Sequence, residues 1–584
     1  MEMIKNSMKN HPYFSVFYLW LFLFCSSGRF SVEWVSLFNY ISSAFLILML
    51  IPMNQMYMKK VGAKNIDKQN RIKFVAGVSI VAAYSILTLF LYGIIPSNKH
   101  GWGRNATVLF ISGAVFFCVT ALYLKKKRML SGQKLFVLII LAAFFFHFYY
   151  NLYSEFNVQA DLYFYDARTP PQGHMGYMKY LYENFLPYQE DPRPLWQFYH
   201  PPLHHYLEAG LMRLQTLLGT DIEIAVFNIK YLPLLYFMLM CITVKKIAEM
   251  LTIKGNTLIF VMSVVLFSPA FLIIGNYANN DMLSIFLMIQ SIYFALIWYK
   301  DQKAENIIKV ALCFGLSMFT KLSGWMAAVP IAVVFITALI NMLRHKKFSE
   351  FRKLIGQMSV FMLIAAPLSL YWSIRNYVRF GVPVGYIPIS ESEYQRINQS
   401  VPQRLFDFSF YQFETPYLND LKVNDYVEFN PLVALIKTSS ANLHIDKAFG
   451  APFDTLNLCT MWVTIILAAV AFVCMIFVLC KKGTMPIYAK IAMISFYIVL
   501  LVSYYIFCIN YPYTCTEDIR YASPIIIIGA FSVGIVMEKN EVLNKKVNSK
   551  LQLGMKVIIT AFCLLSFLSF AADGLWTSLY FNML

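Results

Sequence analysis

The chain has 584 residues, of which 59% are hydrophobic, 17% aromatic and only 14% charged, with a mean hydropathy of +0.56. A soluble domain carries about a quarter charged residues, so this composition excludes an ordinary water-soluble globule and predicts an all-α, polytopic transmembrane helical bundle. The net charge of +18 is then a matter of where the cations fall relative to the membrane.

A helix of roughly 20 apolar residues crosses a bilayer, and about fifteen such runs follow one another. They fall near 13–28, 35–52, 74–95, 107–124, 135–153, 222–244, 257–274, 282–299, 307–320, 324–343, 357–374, 456–480, 486–508, 523–537 and 555–580. Met1–Asn10 is short and basic, and no small-residue cleavage pattern follows Phe24, so the first span is expected to be retained. Odd and even connections fall on opposite sides. Lys59–Lys73, Lys125–Arg128, Lys245 and Lys246, Arg344–Lys353, Lys481 and Lys482, and Lys539–Lys556 share one side, which is cytoplasmic by the positive-inside rule. The basicity therefore reflects topology and predicts no nucleic-acid partner. The ten cysteines, mostly within apolar runs and without metal-ligand spacing, read as small core residues.

Four divisions follow: N-terminal spans over 1–134, a core over 135–380 that includes an external loop at 154–220, an external segment over 381–455, and C-terminal spans over 456–584. The loop is the stretch around which the chain is organised. From Val158 to Leu214 it gathers Asp161, Asp166, Glu183, Glu190, Asp191 and Glu208, several histidines and a dense set of rings. Acids and imidazoles kept in one loop of a membrane protein mark a functional site. The second external segment alternates aromatic and acidic residues, and is expected either to form short amphipathic interfacial helices covering the first loop or to be an ordinary interfacial aromatic belt.

Within the loop, His200-Pro201-Pro202-Leu203 suits a helix start at Pro201, whose positive end would face whatever lies beside His200. The two prolines remove two N–H donors there, which leaves His200 to carry the contact. Three readings stay open: phosphate or substrate contact, a metal pair of His200 and His204 with His174 as third ligand, and a purely structural helix start. Asp161 and Asp166 follow the fifth span closely enough for desolvation to tune one of them as a general base. Asp281, opening the eighth span after Asn279 and Asn280, is either a helix cap or a site acid. Lys321, in Thr320-Lys321-Leu322, either snorkels to water or serves as a cation for a buried phosphate. Arg375 and Arg520 complete a set that lies on one face of the membrane.

On these residues the chain resembles the GT-C superfamily of membrane glycosyltransferases, and within it the branch of protein O-mannosyltransferases and the lipid A aminoarabinose transferase. The matching motifs are Gly173-His-Met-Gly-Tyr-Met-Lys-Tyr180, Phe198-Tyr-His-Pro-Pro-Leu203, Asn280-Asp281, Thr320-Lys321, Arg375-Asn-Tyr-Val-Arg-Phe-Gly-Val-Pro383 and Asp518-Ile-Arg-Tyr521, spread over residues 135–537. The resemblance implies a catalytic Asp in the first external loop. Where many relatives have adjacent Asp-Glu, this chain offers separated Asp161 and Asp166, with Asp161 nearer the span; where the aminoarabinose transferase has Lys before Pro-Pro-Leu, it has His200.

What the resemblance implies is transfer of a sugar from a polyprenyl-phosphate donor in the membrane lipid to a protein, lipid or polymer acceptor on the outer face of a bacterial plasma membrane. Configuration would invert, with an Asp as general base. Substrate contacts are expected from His174, Tyr199, His200, Asp281, Lys321, Arg375, Arg520 and Tyr521. No cofactor is assigned, and a divalent metal ion is left open. The alternative is a transporter or flippase of lipid-linked sugars. Such proteins show internal repeats and helices broken at the membrane midplane, whereas here no repeat is visible and the polar residues gather at one face. A non-catalytic assembly subunit is the third reading.

Overall fold

The computed structural model describes residues 12–26, 102–126, 128, 130–154, 173–390, 392–419, 427–441, 451–540 and 545–580. Among these the chain is helical, with no strand beyond one isolated antiparallel bridge between Arg396 and Tyr513. Nine described helices are long and apolar enough to cross a membrane: Ala106–Lys126, Gly132–Tyr153, Ile222–Met250, Asp281–Asp301, Leu322–Arg344, Phe348–Phe380, Phe453–Cys480, Ile487–Asn510 and Ser549–Leu575. Thr514–Tyr521 and Pro524–Lys539 meet the same length and composition test only when taken together, and are bent by 44° at their junction. The protein is a multi-pass helical membrane protein.

The expected spans not in that set differ for local reasons. Those at 35–52 and 74–95 lie outside the described residues. The one at 13–28 is a helix of 15 residues, and the one at 307–320 belongs to a helix of 17. The expected span at 257–274 is two helices, Gly255–Leu266 and Pro269–Ile274. Pro269 has no N–H to continue the first helix, but its fixed φ suits the first turn of the second.

Contacts gather in two units. The first comprises the described residues of Met1–Glu155, Leu211–Leu239 and Phe570–Leu584. In it Trp102–Lys126 packs on Gly132–Tyr153, and the Lys230 ammonium caps the end of the latter by donating to the carbonyls of Asn151 at 2.9 Å and Ser154 at 2.8 Å. A cation satisfying the last carbonyls is the favourable arrangement at a helix C-terminus.

The second comprises the described residues of Phe156–Gly210 and Met240–Ser569. Asp281–Asp301 packs on Ala304–Thr320, which packs on Phe348–Phe380, while Pro524–Asn540 packs on both Gly255–Leu266 and Ala451–Cys480. The segment after Phe380 starts at Gly381, whose φ of +66° ends the long helix as glycine does best. Short helices follow at Glu393–Gln395, Val401–Phe406, Phe410–Phe413 and Pro431–Ser440. Two buried ion pairs lock them. Lys437 Nζ meets Glu428 Oε2 at 2.6 Å, and Arg404 Nη2 meets Glu517 Oε1 at 2.8 Å while also donating to the Cys508 carbonyl at 2.7 Å.

Burial lowers the pKa of Lys437, with Glu428 opposing that shift. Removing one member of a buried pair strands the other charge, at a cost of about 3–5 kcal/mol. Lys437→Met is accordingly expected to lower the thermal midpoint in detergent, and Lys437→Met with Glu428→Leu to recover most of the loss. An unchanged midpoint in the single variant would show that the pair contributes nothing net.

Candidate active site

In the second unit a cluster of site side chains is built where two short helices meet. Gly173, with φ of +76°, donates its N–H to the Trp196 carbonyl at 2.9 Å and opens the helix Gly173–Asn184. The next helix runs Leu203–Leu217, and Tyr206 N donates to the Pro202 carbonyl at 2.9 Å. The helix therefore begins two residues later than the expected start at Pro201. The reason is local: a residue preceding proline is driven out of the α region, and Pro201 precedes Pro202. Both prolines stay outside the helix, so its first turn keeps the N–H groups of Leu203, His204 and His205.

The imidazoles that meet are not the pair four residues apart. His174 Nδ1 lies 2.9 Å from His205 Nε2, with the rings nearly parallel at 5.2 Å. His200 stacks on the same His174 ring at 5.7 Å, and Tyr199 lies against His200 at 4.4 Å. Trp372 fixes this turn by donating its indole N–H to the Tyr199 carbonyl at 3.0 Å. His204 points elsewhere: its Nε2 is 3.1 Å from Glu208 Oε1, both side chains being fully buried. The triplet His174, His200 and His204 is thus not what the fold assembles; His205 takes the place that the four-residue spacing gave to His204. Among the described residues no group of three or more His, Cys, Asp or Glu side chains is arranged to hold a metal ion.

Burial pushes the pKa of His174, His200 and His205 well below the ordinary imidazole value. For His200 the nearby charges of Lys321 and Arg520 push the same way; for His174 the other histidines and Lys321 do so. Burial among other cations therefore favours the neutral form of these imidazoles. Glu208 is raised by burial, against the opposing pull of His204.

Lys321 and Asp281 come from neighbouring helices pinned together close to both residues. Asn280 Nδ2 donates to the Thr320 carbonyl at 3.2 Å, and Ser317 Oγ donates to the Ser284 carbonyl at 2.9 Å. Lys321 is the extended residue between the helix Ala304–Thr320 and the tight turn Leu322–Ala327. Gly324 lets that turn fold back: a Cβ there would stand 2.8 Å from the Ser317 carbonyl carbon and 2.9 Å from Met318 N. With the backbone so held, Lys321 Nζ pairs with Asp281 Oδ1 at 2.5 Å and sits 5.1 Å from the centre of the Tyr521 ring. The Arg520 guanidinium is 5.0 Å from the same ring, and its Nε is 3.8 Å from Asp518 Oδ2.

Of the residues singled out in the sequence, His174, Tyr199, His200, Asp281, Lys321, Arg520 and Tyr521 are thus joined by ring contacts, ion pairs or the field of neighbouring cations. Arg375 is engaged differently. It donates to the Tyr188 carbonyl and, at 2.7 Å, to Asn376 Oδ1, with its guanidinium 4.5 Å from the Trp372 ring centre. It pins the 185–200 loop to the long helix. Asp161 and Asp166 lie outside the described residues. Glu208 and Asp518 are named from the sequence, but no role is assigned there to them or to His205; the i,i+4 spacing of His204 and Glu208 is a visible signal for their pairing. Next in the chain to Arg520, Ile519 lines an apolar cavity of about 200 Å³ shared with Leu435, Leu501, Ile525, Ala530 and Phe562.

No family model matches the chain, and no curated protein matches it. Two solved structures are similar in chain course. One is ArnT from Cupriavidus metallidurans bound to undecaprenyl phosphate, at 13% identity and a TM-score of 0.35, covering 76% of this chain and 77% of that one. The other is the apo state of the same protein, at 12% identity and a TM-score of 0.34, covering 76% of each chain.

Proposed function

We propose that this protein is a membrane glycosyltransferase that moves a sugar from a polyprenyl-phosphate donor to an acceptor at the outer face of a bacterial plasma membrane. The observation that carries the reading is the placing of Lys321 and Arg520, from separate segments, 5.1 and 5.0 Å from the centre of the Tyr521 ring. The apolar cavity at Ile519 supports it, because a lipid phosphate presents an anion and a hydrocarbon chain side by side.

In the step, Asp161 or Asp166 accepts the proton of the acceptor hydroxyl or amine. A bond forms from that atom to the anomeric carbon, the bond from this carbon to the phosphate oxygen breaks, and polyprenyl phosphate leaves with the electron pair. A single displacement inverts the sugar and needs no second carboxylate as nucleophile, unlike a retaining glycosidase. A positioned general base contributes about 10²–10⁴ in rate. Lys321 and Arg520 stabilise the charge that develops on the phosphate, and His200 joins them by donating a hydrogen bond.

The test is transfer by the purified chain in detergent with a panel of polyprenyl-phosphate sugars, run beside Asp161→Asn and Asp166→Asn. Release of polyprenyl phosphate by the unaltered chain, reduced at least a hundredfold in one variant, is the expected result and selects the base. Turnover unchanged from that of the unaltered chain in both variants would eliminate the general base. Tight donor binding without turnover across acceptors would favour transport of lipid-linked sugars instead.

A further inference from the structure

The segment Val401–Phe413 holds apolar rings out of the protein on a backbone that is firmly tied down. Ser400 and Gln403 form a reciprocal cap at its start, and the buried Arg404 anchors it through Glu517 and the Cys508 carbonyl. The Asp407 carbonyl accepts from Gln412 at 3.1 Å and from Asn430 at 2.7 Å, and its carboxylate is turned onto Ser409, whose N–H it accepts at 3.0 Å. Between these ties Phe406, Phe408 and Phe410 are 77%, 47% and 84% exposed. Rings presented by so fixed a backbone need a partner surface.

The depth of the segment says which one. Its last residue, Phe413, lies 5.8 Å ring to ring from Trp462 on the membrane-spanning helix Phe453–Cys480. Lys481 and Lys482 follow that helix and mark where hydrocarbon ends at its far side. A hydrocarbon core about 30 Å thick corresponds to about 20 helical residues at 1.5 Å each, which from Cys480 reaches back to about residue 460. Trp462 therefore stands at the opposite boundary, where tryptophan is favoured. Beyond it the helix turns polar: Tyr417 donates its hydroxyl hydrogen to Asp454 at 3.1 Å and accepts from Asn457 at 2.7 Å.

We propose that Phe406, Phe408 and Phe410 form a wedge that inserts into the headgroup and upper acyl region of the bilayer, the partner being the lipid surface itself. The wedge continues the lipid-facing band of the Phe453–Cys480 helix, on which Trp462, Ile466 and Phe472 are exposed. It requires only that this helix crosses the membrane, and stands whatever reaction the site performs. Through the Arg404–Glu517 pair, the wedge shares one buried anchor with the turn that carries Arg520 and Tyr521.

The full chain, reconstituted into phosphatidylcholine–phosphatidylglycerol nanodiscs containing a phospholipid with a diazirine near the top of its acyl chain, is irradiated and mapped by peptide mass spectrometry. Lipid adducts are expected on residues 406–411 and around Trp462. In a variant with Phe406→Ser, Phe408→Ser and Phe410→Ser, adducts on the first peptide fall at least fivefold while those at Trp462 persist. Should the variant not fold, the labelling of the unaltered chain decides by itself. Adducts at Trp462 with none on 406–411 overturn the proposal. So do photo-cross-links from Phe408 to a second copy of the chain in the same discs, which would assign the rings to self-association.

Discussion

Lys321→Met is expected to lower kcat/KM for sugar transfer by about 10²–10³, the usual cost of deleting one preorganised charge that stabilises a developing anion. The difficulty is that Lys321 also has a structural partner. Its side chain is 12% exposed and that of Asp281 is 5% exposed, so removing the ammonium strands a carboxylate and destabilises the fold by about 3–5 kcal/mol. Activity lost through unfolding could pass for activity lost through chemistry.

Three variants separate the two. Lys321→Met loses both stability and turnover, and Lys321→Met with Asp281→Asn regains the thermal midpoint because no charge is left unpaired. If Lys321 serves the departing phosphate, the double variant still transfers sugar at least a hundredfold more slowly than the unaltered chain. Recovery of turnover together with the midpoint would mean that Lys321 is only a packing partner for Asp281. Lys321→Arg keeps the charge but replaces a compact ammonium with a planar fork, and the ring of Tyr521 at 5.1 Å leaves little room for it. Partial activity with a weakened KM is expected there.

The membrane helices were legible because their signal is long and additive: some twenty apolar residues in a row outweigh any local irregularity. Shorter-range features were harder. The break at Phe267 and Ser268 hangs on one proline, Pro269. The start of the Leu203–Leu217 helix hangs on two more, and which of His204 and His205 stands opposite His174 is set by how that helix packs rather than by sequence spacing. Composition could point to Lys321 and Arg520 as cations in the wrong medium, but it could not say that both face the ring of Tyr521. Arg375 looked the same as Lys321 in sequence, yet its partner is the Tyr188 carbonyl, 187 positions away. The Arg404–Glu517 pair spans 113 positions. Contacts at such separations depend on how helices pack, and a single sequence carries no periodic trace of them.

The three stacked imidazoles make the stability of this site depend on pH with a definite sign. His174, His200 and His205 are all held neutral, with folded pKa values well below the ordinary one of about 6.5. Between the folded and unfolded values the unfolded chain binds more protons, so stability rises with pH through that window and is lost as pH falls below about 6.5. All three histidines act in the same direction, so their losses reinforce one another on acidification. Glu208, raised by burial, works in the opposite direction, since acidification relieves its buried charge.

The expected result is a thermal midpoint that drops between pH 7.5 and 5.5, with a smaller drop in His205→Asn. A variant whose pH profile parallels that of the unaltered chain would show that His205 is already charged or already wet. A phosphate anion beside His200 favours the imidazolium and raises its pKa. Added polyprenyl phosphate should therefore reduce the acid loss in the unaltered chain and do less in His200→Asn. Equal protection in both would place the phosphate away from His200, leaving Lys321 and Arg520 to hold it.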